Sequence, residues 1–255
     1  MSRSAGRLAR EIEHHRGIAD QAEIIWNWDS PSGRRRAARR AAIFVECCRL
    51  VPGRRALELG CGTGIFLERV APSGAGIVGL DLSAELLAKA RGRLGAAANV
   101  VLHRGNAESL PYAEASFDAV YGSSVLHHLD LDRALHEVLR VLRPGGWCAF
   151  TEPNILNPQV ALMFHLHLTK RYFGVSPDEM AFSRVRALRA LLRTGFVEAE
   201  VRPFDFLHPA TPEGLCDTVD RLGRRLERLP LVREITGSFV VRGRRPGGPP
   251  PPGAL

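Results

Sequence analysis

The chain has 255 residues, 45% hydrophobic and 24% charged, with a formal net charge of +8. That length buries a sizeable core as one domain with additions, or as one and a half domains. No apolar stretch approaches the ~20 residues of a membrane-spanning helix, and residues 1–22 lack the apolar centre of a secretion signal, so a soluble, cytoplasmic protein is expected. Five cysteines (Cys47, Cys48, Cys61, Cys148 and Cys216) form neither an even set nor a C-x-x-C pair, as expected of reduced thiols.

Residues 1–22 read as a polar helix of mixed charge. Its adjacent His14 and His15 point to different faces, which disfavours a metal site. Trp26 and Trp28 follow in a polar setting, as a staple for the N-terminal segment or as aromatic walls of a substrate pocket. After the breaker Ser30-Pro31-Ser32-Gly33, a helix is expected over 34–50, with an apolar stripe at Ala38, Ala41/Ala42, Val45 and Cys48 and arginines on its other side. The positive charge is uneven. Residues 33–55 carry eight Arg against Glu46, and 221–245 carry eight against Glu227 and Glu234. Solvated helix faces plus an anion-contacting Arg or two account for this better than a nucleic-acid surface does.

Next comes the stretch around which the chain is organised. Ala56-Leu57-Glu58-Leu59 is a strand, Gly60-Cys61-Gly62-Thr63-Gly64 a glycine-rich turn, and Ile65–Val70 the start of a helix. Such a turn brings bare backbone to a ligand at the positive end of a helix. Residues 77–81 are a buried strand ending in Asp81, with Ser83 as helix cap and Glu85 in the first turn. Asp81 lies 17 residues past Gly64, near the ~20-residue offset at which an acid meets ribose hydroxyls, and a sugar diol would satisfy a carboxylate otherwise costly to bury. Strands at 100–103, 117–121 and 147–152 and a helix capped by Asp130 continue the alternation, which predicts an open parallel sheet covered on both faces.

Four stretches resemble class I S-adenosylmethionine-dependent methyltransferases, in particular the small-molecule group acting on quinones and natural products. They are LELGCGTG (57–64), GLDLS (79–83), GNAESLPYAEASFDAVYGSSVLHHL (105–129) and LRVLRPGGW (139–147). The resemblance spans about residues 40–152. It implies an α/β, Rossmann-like, seven-stranded, mostly parallel sheet with an antiparallel last strand and helices on both faces. An N-terminal helical cap segment (1–45) would precede a methyltransferase domain (46–244) bearing a helical lid insertion (153–182), and a disordered tail (245–255) would end the chain.

The resemblance also implies S-adenosylmethionine as cofactor and S-adenosylhomocysteine as product. Gly60, Cys61, Gly62 and Gly64 would meet the methionyl part, with Glu58 near its ammonium, Asp81 on the ribose, Asn106 and Ala107 at the adenine edge, Leu82 as an apolar wall and Ser123 at the ammonium. Asn106 stands where many relatives carry Asp, and its side-chain oxygen can still accept from the adenine amino group.

His127 and His128, at the rim after strand four, suit a general base at neutral pH, with His128 leading and Glu152 next. Packing under the next helix is the alternative for either histidine. Asn154, His165 and the two tryptophans are the substrate-side candidates. His165 and His167 are two apart, which disfavours metal binding. A peripheral membrane contact is open for the apolar run 160–173, which adjoins Lys170-Arg171. The expected partner is a small-molecule methyl acceptor. RNA or protein methylation and a non-methylating nucleoside-binding descendant are the alternatives, and nothing in the sequence sets the oligomeric state.

Overall fold

The structure is a computed structural model that describes residues 6, 13, 17, 19–165 and 181–247. His14, His15, His167, Lys170, Arg171 and the tail from 248 lie outside the described residues.

Seven strands form one sheet: β1 Arg55–Leu59, β2 Gly76–Asp81, β3 Val100–Arg104, β4 Phe117–Ser123, β5 Leu142–Pro153, β6 Val197–Phe204 and β7 Ser238–Arg244. Their order is β3-β2-β1-β4-β5-β7-β6. The first five run parallel, and β7 lies antiparallel between β5 and β6, as expected for the last strand.

Among the described residues seven helices surround the sheet: α1 Pro31–Cys47, α2 Ile65–Val70, α3 Ala84–Leu94, α4 Leu131–Val141, α5 Pro158–His165, α6 Arg184–Thr194 and α7 Cys216–Leu226. A further single turn covers Ala22–Ile25. α1, α2 and α3 pack through Ala41, Phe44, Phe66, Leu67 and Leu87 on the sheet face carrying Ala56, Ile77 and Tyr121. α4 and α6 pack through Leu135, Val138, Ala187 and Leu191 on the face carrying Leu57, Val120 and Phe150. Strands covered on both sides have no polar face, so β1 is buried from Ala56 to Leu59 and β4 from Ala119 to Gly122.

Helix boundaries follow local chemistry. The Ser83, Asp130 and Ser183 side chains each accept a hydrogen bond from the backbone N–H three residues on, at the starts of α3, α4 and α6. The expected breaker at 30–33 instead starts α1. Ser30 accepts from Gly33 N, and Pro31 stands at the first helical position, where its missing N–H costs nothing. The buried face of α1 also differs from the expected stripe. It is Ala37, Arg40, Ala41, Phe44 and Cys47, while Ala38 faces outward.

Arginines of α1 go into the fold as ion pairs. Arg39 meets Glu227 (2.5 Å), and Arg35 meets Asp217 on α7. Among the described residues, no helix is long and apolar enough to cross a membrane.

Candidate functional site

The parallel strands β1, β2, β3 and β4 all end at one edge of the sheet. Gly60–Gly64, Asp81–Ser83, Gly105–Ala107 and Ser123–His128 are therefore neighbours there, where open α/β sheets bind their ligands. A cavity of about 540 Å³ opens along this edge and continues past α1 and α5. One half, the nucleoside half, is lined by Gly60, Cys61, Gly62, Asp81, Leu82, Asn106, Ala107 and Ser123. The other half lies between Trp28, Arg36, His127, Phe164, Asp205 and His208.

In the nucleoside half, Asp81 is only 7% exposed and is partnered within its own loop. Its Oδ2 accepts from Gly62 N (2.8 Å) and its Oδ1 from Ser83 N (2.9 Å). The carboxylate therefore ties the glycine turn to the start of α3 and needs no sugar to be satisfied. Each oxygen keeps a further lone pair, and the group faces the cavity. Gly62 has φ +52°, a left-handed geometry that glycine adopts at little cost and that aims its N–H at Asp81.

Gly60 is required for a second reason. A Cβ there would lie 2.6 Å from Val125 Cγ2, so its lack of a side chain answers to packing against the loop after β4. Gly64 caps α2 in the left-handed region, packs on Ala90 and does not line the cavity, contrary to its expected place at the cofactor. Asn106 forms a local turn in which its Oδ1 accepts from Glu108 N (2.9 Å), which leaves its amide N–H groups and one lone pair uncommitted by that bond.

Glu58 departs furthest from expectation. It is 1% exposed, does not line the cavity, and has no hydrogen-bond partner for either oxygen. Burial pushes its carboxyl well above the ordinary range, and the Asp81 charge adds to the rise against a smaller opposing effect of Tyr121. It stands inside the sheet layer rather than at the rim as a counterion.

At the rim after β4, Glu152 is wholly committed. Its carboxylate accepts from Val125 N (3.0 Å), Leu126 N (2.9 Å) and His127 N (3.4 Å), and from His127 Nδ1 at 2.7 Å. It is buried and does not line the cavity, so it orients the loop and His127 and does not itself face an acceptor. With Nδ1–H donated to Glu152, the neutral His127 ring carries its lone pair on Nε2. His127 and His128 both line the cavity, with ring centroids 4.3 Å apart, and Phe164 of α5 meets His127 edge-on at 5.7 Å.

The four substrate-side candidates divide. Trp28 lines the second half, edge-on to Phe66 at 5.4 Å. Trp26 covers the glycine turn instead, since a Cβ on Gly62 would meet its ring at 3.5 Å, and so belongs to the nucleoside half. Asn154 is a structural clamp. Its Nδ2 donates to Glu234 O (2.8 Å) and Thr236 O (2.9 Å), its Oδ1 accepts from Leu156 N, and it does not line the cavity. His165 is exposed on α5 and lies away from the cavity lining.

Arg36, Arg40, Asp205 and His208 line the cavity, whereas the sequence pointed to solvated arginines with an anion-contacting one or two among them and did not say which. The signal was present. Residues 36, 40 and 44 share one helical face, so Phe44 in the core carries two guanidinium groups inward with it.

A family model described as a methyltransferase domain matches residues 57–150. The demethylmenaquinone methyltransferase of Chlorobaculum parvum is 33% identical over 170 residues, covering 59% of this chain and 68% of that protein. The O-methyltransferase resE of Aspergillus sclerotiorum is 35% identical over 154 residues, covering 56% and 55%. The chain spans between 34% and 55% of the length of four curated relatives, resE among them. A solved S-adenosylmethionine-dependent methyltransferase from Thermotoga maritima, described as a possible histamine N-methyltransferase, shares the fold with a TM-score of 0.63 at 22% identity. It aligns over 89% of this chain and 97% of its own.

The residues at the sheet edge suit the cofactor that this kinship implies. Asp81 is fixed as an acceptor facing the cavity, beside left-handed glycine backbone. Strand order, cavity and likeness agree: the chain belongs to the class I S-adenosylmethionine-dependent methyltransferases.

Proposed function

We propose that this protein transfers a methyl group from S-adenosylmethionine to a small organic acceptor, a secondary metabolite or quinone-like compound. The observation that carries the reading is a single cavity joining the Asp81–Gly62–Ser83 cradle to the His127–Glu152 pair. The kinship with a demethylmenaquinone methyltransferase and with resE supports the acceptor class.

In this reading Asp81 accepts from the ribose hydroxyls with the lone pairs that its own loop leaves over. Gly60, Cys61 and Gly62 border the methionyl part, Ser123 its ammonium, and Asn106, Ala107 and Leu82 the adenine. When bound, the cofactor supplies a methyl group already activated on a positive sulfur. The protein's remaining work is to align the acceptor and take up its proton. His127 does the latter at Nε2, held in that tautomer by Glu152, so it replaces His128 as leading candidate. Trp28 and Phe164 wall the acceptor. The chain acts in the cytoplasm and its partner is a small-molecule methyl acceptor.

Calorimetry with S-adenosylhomocysteine tests the cofactor half. Binding to the wild type is expected, and Asp81→Ala weakens it at least ~10-fold, the scale of one to two lost charge-assisted hydrogen bonds. Unchanged affinity would refute the assignment.

A further inference from the structure

The second half of the cavity holds more positive than negative charge. Arg36 and Arg40, one turn apart on α1, both pair with the same oxygen. Arg36 Nε lies 2.9 Å and Arg40 Nη1 2.8 Å from Asp205 Oδ2. Their side chains are 14% and 3% exposed and that of Asp205 is 1%. Two cations thus share one oxygen of one buried carboxylate, whose Oδ1 has no hydrogen-bond partner, and an uncompensated buried charge is costly unless a counterion arrives. The other carboxylates lining the cavity are occupied at the nucleoside end. Asp81 holds Gly62 and Ser83, and Glu108 accepts from Asp130 N.

The two arginines are not equivalent. Arg40 is spent. Its Nη2 donates to Ser238 Oγ (2.8 Å), and its guanidinium lies over the Trp28 ring at 5.4 Å and the Phe204 ring at 5.2 Å. Arg36 also lies over the Trp28 ring, at 5.5 Å, but it hydrogen-bonds through Nε alone, to Asp205, and its two terminal nitrogens have no hydrogen bond to any described residue. The pair of N–H groups left to it is the fork that matches a carboxylate or phosphate edge.

Two further features fit an unmatched charge. Burial, with the Arg36 charge behind it, lowers the His208 imidazole, which disfavours a third cation in the cavity. Asp205 itself has φ +79°, a left-handed backbone uncommon outside glycine, fixed by Gly237 N on its carbonyl and by its own N–H on Glu227.

We propose that the methyl acceptor is an apolar organic anion whose carboxylate or phosphate group docks on Arg36, while Trp28, Val160, Phe164 and Leu207 enclose its apolar body. This rests on the methyltransferase reading above, since it names the acceptor of that site. Calorimetry on the full chain, with and without saturating S-adenosylhomocysteine, uses 1-naphthoate, 1-naphthyl phosphate and the neutral 1-naphthamide as probes. At least one anion is expected to bind ~10-fold or more tightly than the amide, as a charge-assisted contact requires. Whichever anion binds more tightly identifies the source of the charge.

Arg36→Gln is expected to bring that preference below about twofold and Arg36→Lys to retain most of it, with S-adenosylhomocysteine affinity unchanged in both. Equal binding of amide and anions, no binding of any probe, or a preference that survives Arg36→Gln overturns the proposal. The wild-type ratio and the Lys variant decide the matter even where Arg36→Gln does not fold. Loss of S-adenosylhomocysteine binding by the wild type, with the anion preference intact, would sink the cofactor reading and leave the Arg36 site standing.

Discussion

In the nucleoside half of the cavity, the groups that set the geometry are backbone N–H and left-handed glycine, contributed by successive strand-to-helix turns. In the acceptor half they are side chains brought from Trp28, α1, α5 and the segment after β6, more than 170 residues apart. A turn whose backbone must bend one way is fixed within a handful of residues. A charge cluster such as Arg36, Arg40 and Asp205 exists only once the whole sheet has closed. The first half falls mostly within residues 57–150, which the family model matches, whereas Trp28, Arg36, Phe164 and Asp205 of the second lie outside them.

The contrast can be broken most forcefully at Asp205. Burial pushes its carboxyl up, but Arg40 and Arg36 outweigh that and hold it at about 2, while burial lowers Arg40 to about 10. Asp205→Asn strands two buried guanidinium groups, so a loss of about 3–5 kcal/mol in urea unfolding is expected. An unchanged midpoint would mean that the acceptor half is not held together by charge. Because the folded value lies below the ordinary ~3.9, the ion pair's contribution is complete above that pH and is lost as pH falls through about 2.

The rim between the halves comes next. His127→Ala should lower turnover by roughly 10², and His128→Ala by less than ~10-fold, with S-adenosylhomocysteine affinity intact in both. The reverse order would make Glu152 a mere anchor of the loop and return the proton to His128.

Weakest, and confined to the nucleoside side, is Glu58→Gln. A carboxyl raised by burial favours folding most below its unfolded value near ~4.3, and that advantage is lost as pH rises towards the folded value. The variant should melt higher than the wild type at about pH 8 and gain less at about pH 5. Equal melting at both would show that Glu58 is ionised and paired.

The same contrast explains what the sequence disclosed. The parallel strands, the caps at Ser83 and Asp130 and the turn at 60–64 are local, and each was legible. Asp81 was found through its spacing, but its two backbone partners were not, because they depend on the path of the glycine turn. Glu152 was read as facing substrate, since nothing local reveals that three N–H groups of the loop after β4 converge on it. Asn154 and His165 failed for the same reason. A polar residue near a rim can turn inward, and only the packed neighbours decide.

All five thiols of this chain are out of water, and burial holds those of Cys48, Cys61 and Cys148 as unreactive S–H groups. A cysteine introduced at the exposed Leu162, on the helix that walls the acceptor half, would thus be the single site open to a maleimide dye. One label there, with no native cysteine replaced, would report by its emission how this wall responds as each ligand enters.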